Sequence, residues 1–458
     1  MILFVLLRLV FRSKHSAGLA TSVILLLFFS YGHVYEIFEG QKFLGLTLGR
    51  HRYLVICYLL LLVGSLVWIS LKQNNLHRLT SFLNLITALA LIFPLAQIGS
   101  FEYDLLRSQA EKKEISSQKR IYNLNTTDDL RDIYYIILDG YARDDILKKY
   151  YQYENRPFLE RLAQMGFTVA HCSQSNYAQT QLSLASSLNF SYLETLGDEF
   201  KAGNSSRIGM SDLIQDSATR QIFEELGYQI IAFDTGYDPT RWKDVDLYLS
   251  PQVAQDIDDF EDMFIRTTAA RLVTEGVSFL DIPPDWEKRD QLHRERILFT
   301  LENLSKIHEI TGPKFVFAHI ISPHWPHVFG PNGEPVHEHN DSVTGYRNQV
   351  EFINRQIEPI LETIISKSSK PPIIVIQGDH GSVVESPQQR MSILNAYYLP
   401  ERQQQALYES ISPVNTFPVI FNLYFNGNFD LLEDASYYSR YETPYEYQKI
   451  EVARTGCP

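Results

Sequence analysis

The chain has 458 residues, a formal net charge of −13 and only three cysteines. This length allows one large domain with a further segment attached to it. The acidic balance argues against nucleic acid as a partner, but it does not exclude small phosphate esters as substrates, because a bound metal ion supplies its own positive charge.

Three segments near the start of the chain are long and apolar enough to cross a membrane. They comprise residues 17–35, 53–71 and 82–101, and each is almost free of charge. A helix of about 20 residues spans the hydrocarbon core of a bilayer, so three in series predict a transmembrane region over residues 1–101 rather than buried core helices. Residues 2–11 are too short to span and indicate an interfacial stretch, or the end of a helix from a longer form of the chain. No cleavable signal peptide is evident.

The distribution of lysine and arginine suggests an orientation. Basic residues precede the first span and lie between the second and third, while the loop between the first and second mixes basic with acidic residues. This weak asymmetry favours the amino terminus inside, and it places the chain after residue 101 outside. We therefore expect a multi-pass protein of a bacterial-type cell membrane, in which residues 102–129 form a juxtamembrane linker to an extracytoplasmic domain.

Residues 130–430 alternate strand-like and helical segments, followed by a tyrosine-rich tail over 431–458. Apolar runs predict strands at 133–138, 167–170, 228–233, 314–321, 373–376 and 395–400. Amphipathic stretches predict helices at 157–165, 217–226, 287–310 and 343–366. This alternation indicates a mainly parallel sheet that is covered on both faces. Residues 322–341, rich in Pro, Gly, Asn and His, predict a long loop of the kind that often carries function.

Two predicted strands end in acidic residues. Asp139 follows the first strand, and the pair Asp379-His380 stands between glycines after the strand at 373–376. Carboxyl ends of parallel strands meet at one edge of a sheet, and carboxylate with imidazole is a common ligand combination. The pattern predicts a metal site assembled from distant parts of the chain.

Five of the 13 histidines fall between positions 319 and 339. His319 lies within a predicted strand, so a buried core histidine is the simpler interpretation. His324 follows that strand between two prolines, and it is the best candidate to contact a substrate oxygen or to protonate a leaving group. His327, His337 and His339 are either solvated loop residues or members of a site.

The segment 171–190 offers candidate nucleophiles. Its apolar residues predict a short buried helix that begins near Thr180, and a hydroxyl at a helix amino terminus lies beside unpaired N–H groups that bind phosphate oxygens. The simpler alternative is that Thr180 only caps this helix. By chemistry alone, Ser173, Ser175 and Ser183 are rivals.

Four elements follow one another along the chain: an Asp at the first strand end, a Thr that opens a helix about 40 residues later, a Pro-His-x-Pro loop and a late Gly-Asp-His-Gly. Their order resembles that of the alkaline phosphatase/sulfatase superfamily. Over residues 130–425 the chain is most similar to the membrane-anchored branch, which includes lipoteichoic acid synthase and the phosphoethanolamine transferases. The resemblance implies an α/β/α sandwich of alkaline-phosphatase type on an N-terminal transmembrane helical anchor. Those two groups have Glu where Asp139 stands, although Asp is usual elsewhere in the superfamily.

The resemblance also implies a set of functional residues. His324 matches the position that contacts substrate phosphate in such transferases. One divalent metal ion, zinc or manganese, is expected to bind four residues at matching positions: Asp139, Thr180, Asp379 and His380.

Departures from the family patterns narrow this interpretation. The residues around Thr180 lack the Cys/Ser-x-Pro-x-Arg context that formylglycine sulfatases need, so sulfate-ester hydrolysis by that route is disfavoured. No histidine follows His380 in the chain, which favours one metal ion over two. A second site would have to use the loop residues His327, His337, His339 and Asp341. His327 and Asn176 are further candidates for substrate contact.

The leading hypothesis is a transferase that moves a phospho-alcohol head group from a membrane lipid to an extracytoplasmic glycan or lipid, through a phosphothreonine at Thr180. A membrane-tethered phosphodiesterase or phosphatase would use the same residues with water as the acceptor. A non-catalytic binding protein of the same fold is the third alternative. The oligomeric state does not follow from the sequence.

The cysteines add one structural expectation. Cys57 lies in a predicted span and is expected to be a packing residue. Cys172 and Cys457 would both lie outside the cell, where a disulfide bond between them is permitted.

Overall fold

The computed structural model of the chain describes residues 1–11, 13–38, 42–43, 46–47, 51–72, 76–117, 124, 130–207, 209–252, 259–275, 285–336, 342–382, 386–401 and 406–451. The chain divides into two compact units. The first contains Met1–Arg107 together with Gln255–Arg289, and the second contains Ser108–Ala254 and Asp290–Pro458. The sequence predicted one uninterrupted domain over residues 130–430 and gave no sign of the excursion at 255–289.

The described elements are numbered in chain order. The helices are α1 (Ile2–Val10), α2 (Lys14–Phe38), α3 (His51–Leu71), α4 (Leu76–Ser117), α5 (Asp144–Tyr151), α6 (Arg156–Gln164), α7 (Thr180–Leu188), α8 (Met210–Gln215), α9 (Ala218–Glu225), α10 (Asp259–Thr267), α11 (Arg271–Glu275), α12 (Asp285–Leu304), α13 (Ser342–Lys367), α14 (Pro387–Met391) and α15 (Thr416–Tyr424). The strands are β1 (Lys42–Phe43), β2 (Leu46–Thr47), β3 (Ile133–Leu138), β4 (Thr168–Val169), β5 (Gln229–Phe233), β6 (Leu247–Leu249), β7 (Lys314–Ile320), β8 (Ile373–Gln377), β9 (Asn395–Tyr398), β10 (Tyr437–Tyr438) and β11 (Gln448–Lys449).

Three helices of the first unit could cross a membrane by their length and composition. They are Lys14–Phe38, His51–Leu71 and Leu76–Tyr103, and each contains one of the predicted spans. Much of their apolar surface is exposed, as expected for helices that lipid would cover. The chain thus carries an N-terminal helical region able to anchor it in a membrane.

The second unit is built on a seven-stranded sheet with the order β4-β9-β8-β3-β7-β5-β6. β9 runs antiparallel to β8 and β4, while β3, β5, β6, β7 and β8 are parallel to one another. In the central strands, Ile137 lies level with His319 of β7 and with Gln377 of β8. The carboxyl ends of these three strands therefore reach the same edge of the sheet.

Both faces of the sheet are covered, because every residue of the central strand β3 is buried and its side chains alternate between the faces. Tyr134, Ile136 and Leu138 belong to one apolar core, which α5, α6, α12 and α13 complete. The side chains of β3 on the opposite face join a second core with α7, α8, α9 and α15. This arrangement confirms the predicted α/β/α sandwich.

Candidate metal centre and nucleophile

Two buried carboxylates lie at the carboxyl ends of β3 and β8. The backbone N–H of Asp139 donates to Ile320 O at 2.9 Å, and the N–H of Gly140 donates to Oδ1 of Asp379 at 2.9 Å. Gly140 has a φ of +73°, a backbone conformation that is strained for a residue with a side chain, so glycine is needed for this turn. Oδ1 of Asp139 and Oδ2 of Asp379 are buried and accept no hydrogen bond. Buried carboxylate oxygens without a partner are costly, and they indicate a site for a cation.

His380 lies between the two carboxylates. Its Nε2 atom is 3.6 Å from Oδ1 of Asp139 and 3.4 Å from Oδ2 of Asp379. Its Nδ1 atom lies 2.8 Å from Gly381 O, so we assign the ring proton to Nδ1 and the lone pair to Nε2. Burial, followed by the charge of Arg390, lowers the pKa of His380 to about 4. The imidazole is therefore neutral at pH 7, the form that binds metals.

Thr180 is the first residue of α7, and Gln179 occupies the N-cap position. The Oγ1 atom of Thr180 lies 3.2 Å from Nε2 of His380, and the residue is half-buried. The alternative that Thr180 only caps the helix is therefore wrong, because another residue holds the cap and the hydroxyl faces the centre instead. The first backbone N–H groups of a helix have no partner within the helix, and they favour a negative charge at its start.

The rival hydroxyls are not available as nucleophiles. Ser173, Ser175 and Ser183 are all buried. Each donates its hydroxyl proton to a backbone carbonyl: Ser173 to Ile411, Ser175 to Tyr177 and Ser183 to Asp379. Ser183 thereby helps to fix the loop that carries Asp379.

Two histidines complete the centre. His319 is buried in β7, as predicted, but it does more than fill the core: its Nε2 atom lies 3.1 Å from Oδ2 of Asp139 and its Nδ1 atom lies 2.9 Å from Oγ1 of Thr240. His324 donates its backbone N–H to Asp139 O at 3.0 Å, and its ring centroid lies 5.8 Å from that of His380. The alternation of strand residues predicted burial of His319, but it could not reveal which polar group His319 would contact.

These residues fit a divalent cation. Asp139, His324 and His380 each offer one donor atom, and the three atoms lie within 4.8 Å of one another. Asp139 forms a second such group with His319 and Asp379. Burial would raise the pKa of Asp139, but the nearby His324, His319 and His380 outweigh it and lower the pKa below its ordinary value. An ionised carboxylate beside neutral imidazole suits zinc or manganese.

Arg390, on the short helix α14, was not singled out from the sequence. Its Nη2 atom lies 3.0 Å from Nε2 of His380, and its Nε atom donates to Ala178 O at 2.9 Å. The guanidinium therefore lies beside Thr180 and His380, where it could pair with an anionic substrate. A single arginine outside any motif gives no sequence signal for such a position.

The start of α7 is held by the C-terminal part of the chain. Nε2 of Gln179 donates to the backbone carbonyls of Ser439 and Arg440, each at 3.2 Å. Arg207 donates to Oε1 of Gln179 at 2.5 Å and to Tyr441 O at 2.9 Å. The residues that flank the candidate nucleophile are thus fixed by a segment more than 250 positions away in the sequence.

Asn176 requires a correction. Its amide nitrogen shares its two hydrogens among Tyr192 Oη, Ser412 Oγ and Ala435 O, and its carbonyl oxygen accepts from the N–H of Val414. The side chain is fully buried. Because these bonds use both donor hydrogens and the acceptor oxygen, Asn176 joins segments of the domain and is not free to contact a substrate.

The remaining candidates lie apart from the centre or outside the described residues. His327 is buried beside Tyr346, and neither group of potential metal ligands in the described part of the chain contains it. His337, His339 and Asp341 fall outside the described residues. Cys172 is disulfide-bonded, and its predicted partner, Cys457, also lies outside them.

Comparison with known proteins defines the family. Residues 131–418, well over half of the chain, match the family model described as Sulfatase. The chain therefore belongs to the sulfatase family, which confirms the predicted membership of the alkaline phosphatase/sulfatase superfamily and the prediction of an enzyme. No curated protein matches the chain significantly.

Three solved structures illustrate the similarity of fold. The C-terminal periplasmic domain of EptC from Escherichia coli, in a complex with zinc, has 11% identity and a TM-score of 0.48, with 72% of this chain and 95% of that chain covered. The integral membrane lipooligosaccharide phosphoethanolamine transferase A from Neisseria meningitidis has 12% identity and a TM-score of 0.41, with 87% of this chain and 80% of that chain covered. The lipoteichoic acid synthase LtaP from Listeria monocytogenes has 10% identity and a TM-score of 0.42, with 69% of this chain and 81% of that chain covered. At such similarity the family assignment depends on the sulfatase match alone.

Proposed function

We propose that the protein is a membrane-anchored, divalent-metal-dependent phosphotransferase. It would take a phospho-alcohol head group from a lipid donor and pass it to an extracytoplasmic glycan or lipid through a phosphothreonine intermediate. The single observation that carries the proposal is the half-buried hydroxyl of Thr180, which lies 3.2 Å from Nε2 of His380 beside two buried carboxylate oxygens without hydrogen bonds. The apolar helices favour a lipid donor, because donor and enzyme would share one membrane.

The proposed ligands are Asp139, Thr180, Asp379 and His380, with His319 orienting Asp139 from its other side. When bound, zinc or manganese would lower the pKa of the Thr180 hydroxyl and attract the charge of the phosphoryl oxygens. The chain supplies further positive potential through the guanidinium of Arg390 and the N–H groups at the start of α7. His319 and Arg390 are additions to the residues expected from the sequence.

In the first step, Oγ1 of Thr180 would attack phosphorus, and the bond between phosphorus and the glycerol oxygen of the lipid would break. The hydroxyl proton of Thr180 passes to solvent water, and one proton must reach the departing diacylglycerol oxygen. We assign its delivery to His324, which lies at the rim of the centre and is partly exposed. In the second step an acceptor hydroxyl attacks phosphorus, its proton returns to His324, and the bond between phosphorus and Oγ1 of Thr180 breaks. The released oxygen of Thr180 takes up a proton from solvent water.

The decisive experiment is the mass of the tryptic fragment 162–201, which carries Thr180. Purified full-length protein would be incubated with liposomes of mixed phospholipids and Mn²⁺ or Zn²⁺, quenched in acid, reduced and digested. We expect an added phospho-alcohol on Thr180, and its mass would identify the donor head group. The variant Thr180→Ala supplies the control, since its fragment must stay unmodified.

Other outcomes distinguish the alternatives. Release of free head group without any added acceptor would favour the phosphodiesterase, in which water completes the second step. Metal binding without an adduct and without turnover would contradict the proposed enzyme. It would favour a binding protein of the same fold.

A further inference from the structure

The excursion at residues 259–275 packs against the first candidate span. The N–H of Ala269 donates to Phe28 O of α2 at 2.8 Å. The ring of Phe264 lies 6.2 Å from that of Phe28 and 6.1 Å from that of Phe29, centroid to centroid. A side chain at Gly32 would collide with the backbone of Arg266, so glycine permits the close approach of α10 to α2. These contacts all lie within the first unit.

α10 exposes an apolar face. Phe260, Met263 and Phe264 follow the i, i+3, i+4 spacing of one helix face, and they are 66%, 49% and 38% exposed. Large apolar side chains clustered on an amphipathic helix indicate a surface that something covers.

The neighbouring surface identifies what covers it. Leu25, Leu26 and Phe29 of α2 are also exposed, in a helix long and apolar enough to span a bilayer. The apolar face of α10 therefore continues the belt that acyl chains would surround. We propose that α10 is an interfacial helix whose Phe260, Met263 and Phe264 insert among the acyl chains of the leaflet at the carboxyl end of α2.

The depth of the contacts supports this assignment. The guanidinium of Arg271 stacks over the ring of Tyr35 at 4.3 Å and lies 3.7 Å from Glu36. A layer of charged and aromatic residues is typical of the membrane–water boundary. Phe29 precedes Glu36 by two turns of helix, or about 10 Å at 1.5 Å per residue. Phe264 packs at that deeper level, and interfacial helices bury their apolar faces about 5–10 Å into the boundary between head groups and acyl chains.

The order of the helices along the chain indicates the side of the membrane on which α10 lies. Three spans in series alternate in direction, so the carboxyl ends of α2 and α4 lie on the same side. The second unit continues from α4, and residues 255–289 leave that unit and return to it. We therefore expect α10 to meet the bilayer on the side on which α2 ends.

The test is spin-label accessibility on the full-length protein in lipid nanodiscs. In a Cys57→Ala background, Met263→Cys would carry a nitroxide, and Lys201→Cys on the second unit would be the exposed control. We expect the label at 263 to collide more often with oxygen, which concentrates in acyl chains, than with a water-soluble nickel complex. The order should reverse at 201. Equal access of the nickel complex at both sites, or access of neither reagent at 263, would overturn the proposal, since the helix would then face water or protein.

A second pair of variants tests the docking itself. Gly32→Ala should displace α10, so that the label at 263 becomes mobile and gains nickel access. Gly18→Ala in the same helix, where a side chain meets no atom within 4 Å, should leave the label unchanged. An unchanged label in Gly32→Ala would contradict the contact. None of these readouts depends on turnover, so they can fail independently of the proposed phosphotransfer.

Discussion

Thr180 and His380 are 200 positions apart in the sequence, yet Oγ1 of the first lies 3.2 Å from Nε2 of the second. The contact forms because α7 starts at the edge of the sheet where β8 ends. Among the described residues, the hydroxyl of Thr180 donates to no backbone carbonyl. It lies beside a neutral imidazole and two carboxylates instead.

Replacement of Thr180 by alanine should reduce turnover by at least about 1,000-fold, because the rival hydroxyls of Ser173, Ser175 and Ser183 are buried and donate to backbone carbonyls. Thr180→Ser should keep measurable activity, since serine retains the oxygen. Thr195→Ala, which removes an exposed hydroxyl bonded to Tyr192 O, should behave as the unchanged protein. Steady-state kinetics on liposomes would measure all three. Full activity in Thr180→Ala would exclude the phosphothreonine.

Metal removal should lower thermal stability. A cation at 100 times its dissociation constant stabilises the folded state by about 2.7 kcal/mol, and a chelator should abolish that contribution. Asp379→Asn should lose bound metal in elemental analysis and show no further drop in melting temperature with chelator. A chelator effect of equal size in Asp379→Asn would place the ion elsewhere.

Arg390→Lys should lower kcat by about 100-fold, because lysine cannot reproduce the planar guanidinium that reaches both Ala178 O and the side of His380. The metal content should be unchanged, which separates this effect from loss of the ion. Arg156→Lys, at an exposed ion pair with Glu160, is the matched control and should have no effect. Loss of metal in Arg390→Lys would instead indicate a purely structural role.

The stability of the protein should fall as the pH is lowered from about 6.5 to 4. Burial, followed by the charge of Arg296, lowers the pKa of His293 to about 4. A histidine of lowered pKa is protonated first in the unfolded chain, so its contribution is complete above pH 6.5 and is lost as the pH approaches 4. His293→Gln should flatten this part of the curve by up to about 3 kcal/mol. Thermal unfolding at several pH values would measure it, and an unaltered slope would contradict the assignment.

Asn176→Ala should destabilise the domain by about 2–4 kcal/mol, because it leaves the buried N–H of Val414 without its partner and removes the bonds to Ser412 and Ala435. The KM of the protein that remains folded should not change. Asn204→Ala provides the control, because it loses two bonds at a less buried position, one to Glu199 O and one from the N–H of Ser206. A raised KM with normal stability would restore the original prediction that Asn176 contacts substrate.

Much of the fold could be predicted because β3 is buried at all six positions and therefore has an unbroken apolar sequence. Asp139 and the Asp379-His380 pair follow from the same logic, since parallel strands bring their carboxyl ends together. β6 was not predicted, because a strand of three half-buried residues is too short to show a pattern of apolar residues.

The rest of the site depends on tertiary contacts without a periodic signal. Arg390 reaches His380 from a five-residue helix, and Asn176 is occupied by partners far along the chain. Residues 259–275 resemble any amphipathic surface helix. Their packing on α2 depends on Gly32, a residue whose importance appears only when the two backbones are seen together.

The attachment of Gln179 to Ser439 and Arg440 has a consequence for biosynthesis. A nascent chain that has been translated only as far as α15 already contains Thr180, Asp139, Asp379 and His380, yet it lacks the residues that hold the start of α7. We expect the centre to remain incompetent until the final segment has left the ribosome and packed against α7. The enzyme would thus stay inactive until its synthesis is complete.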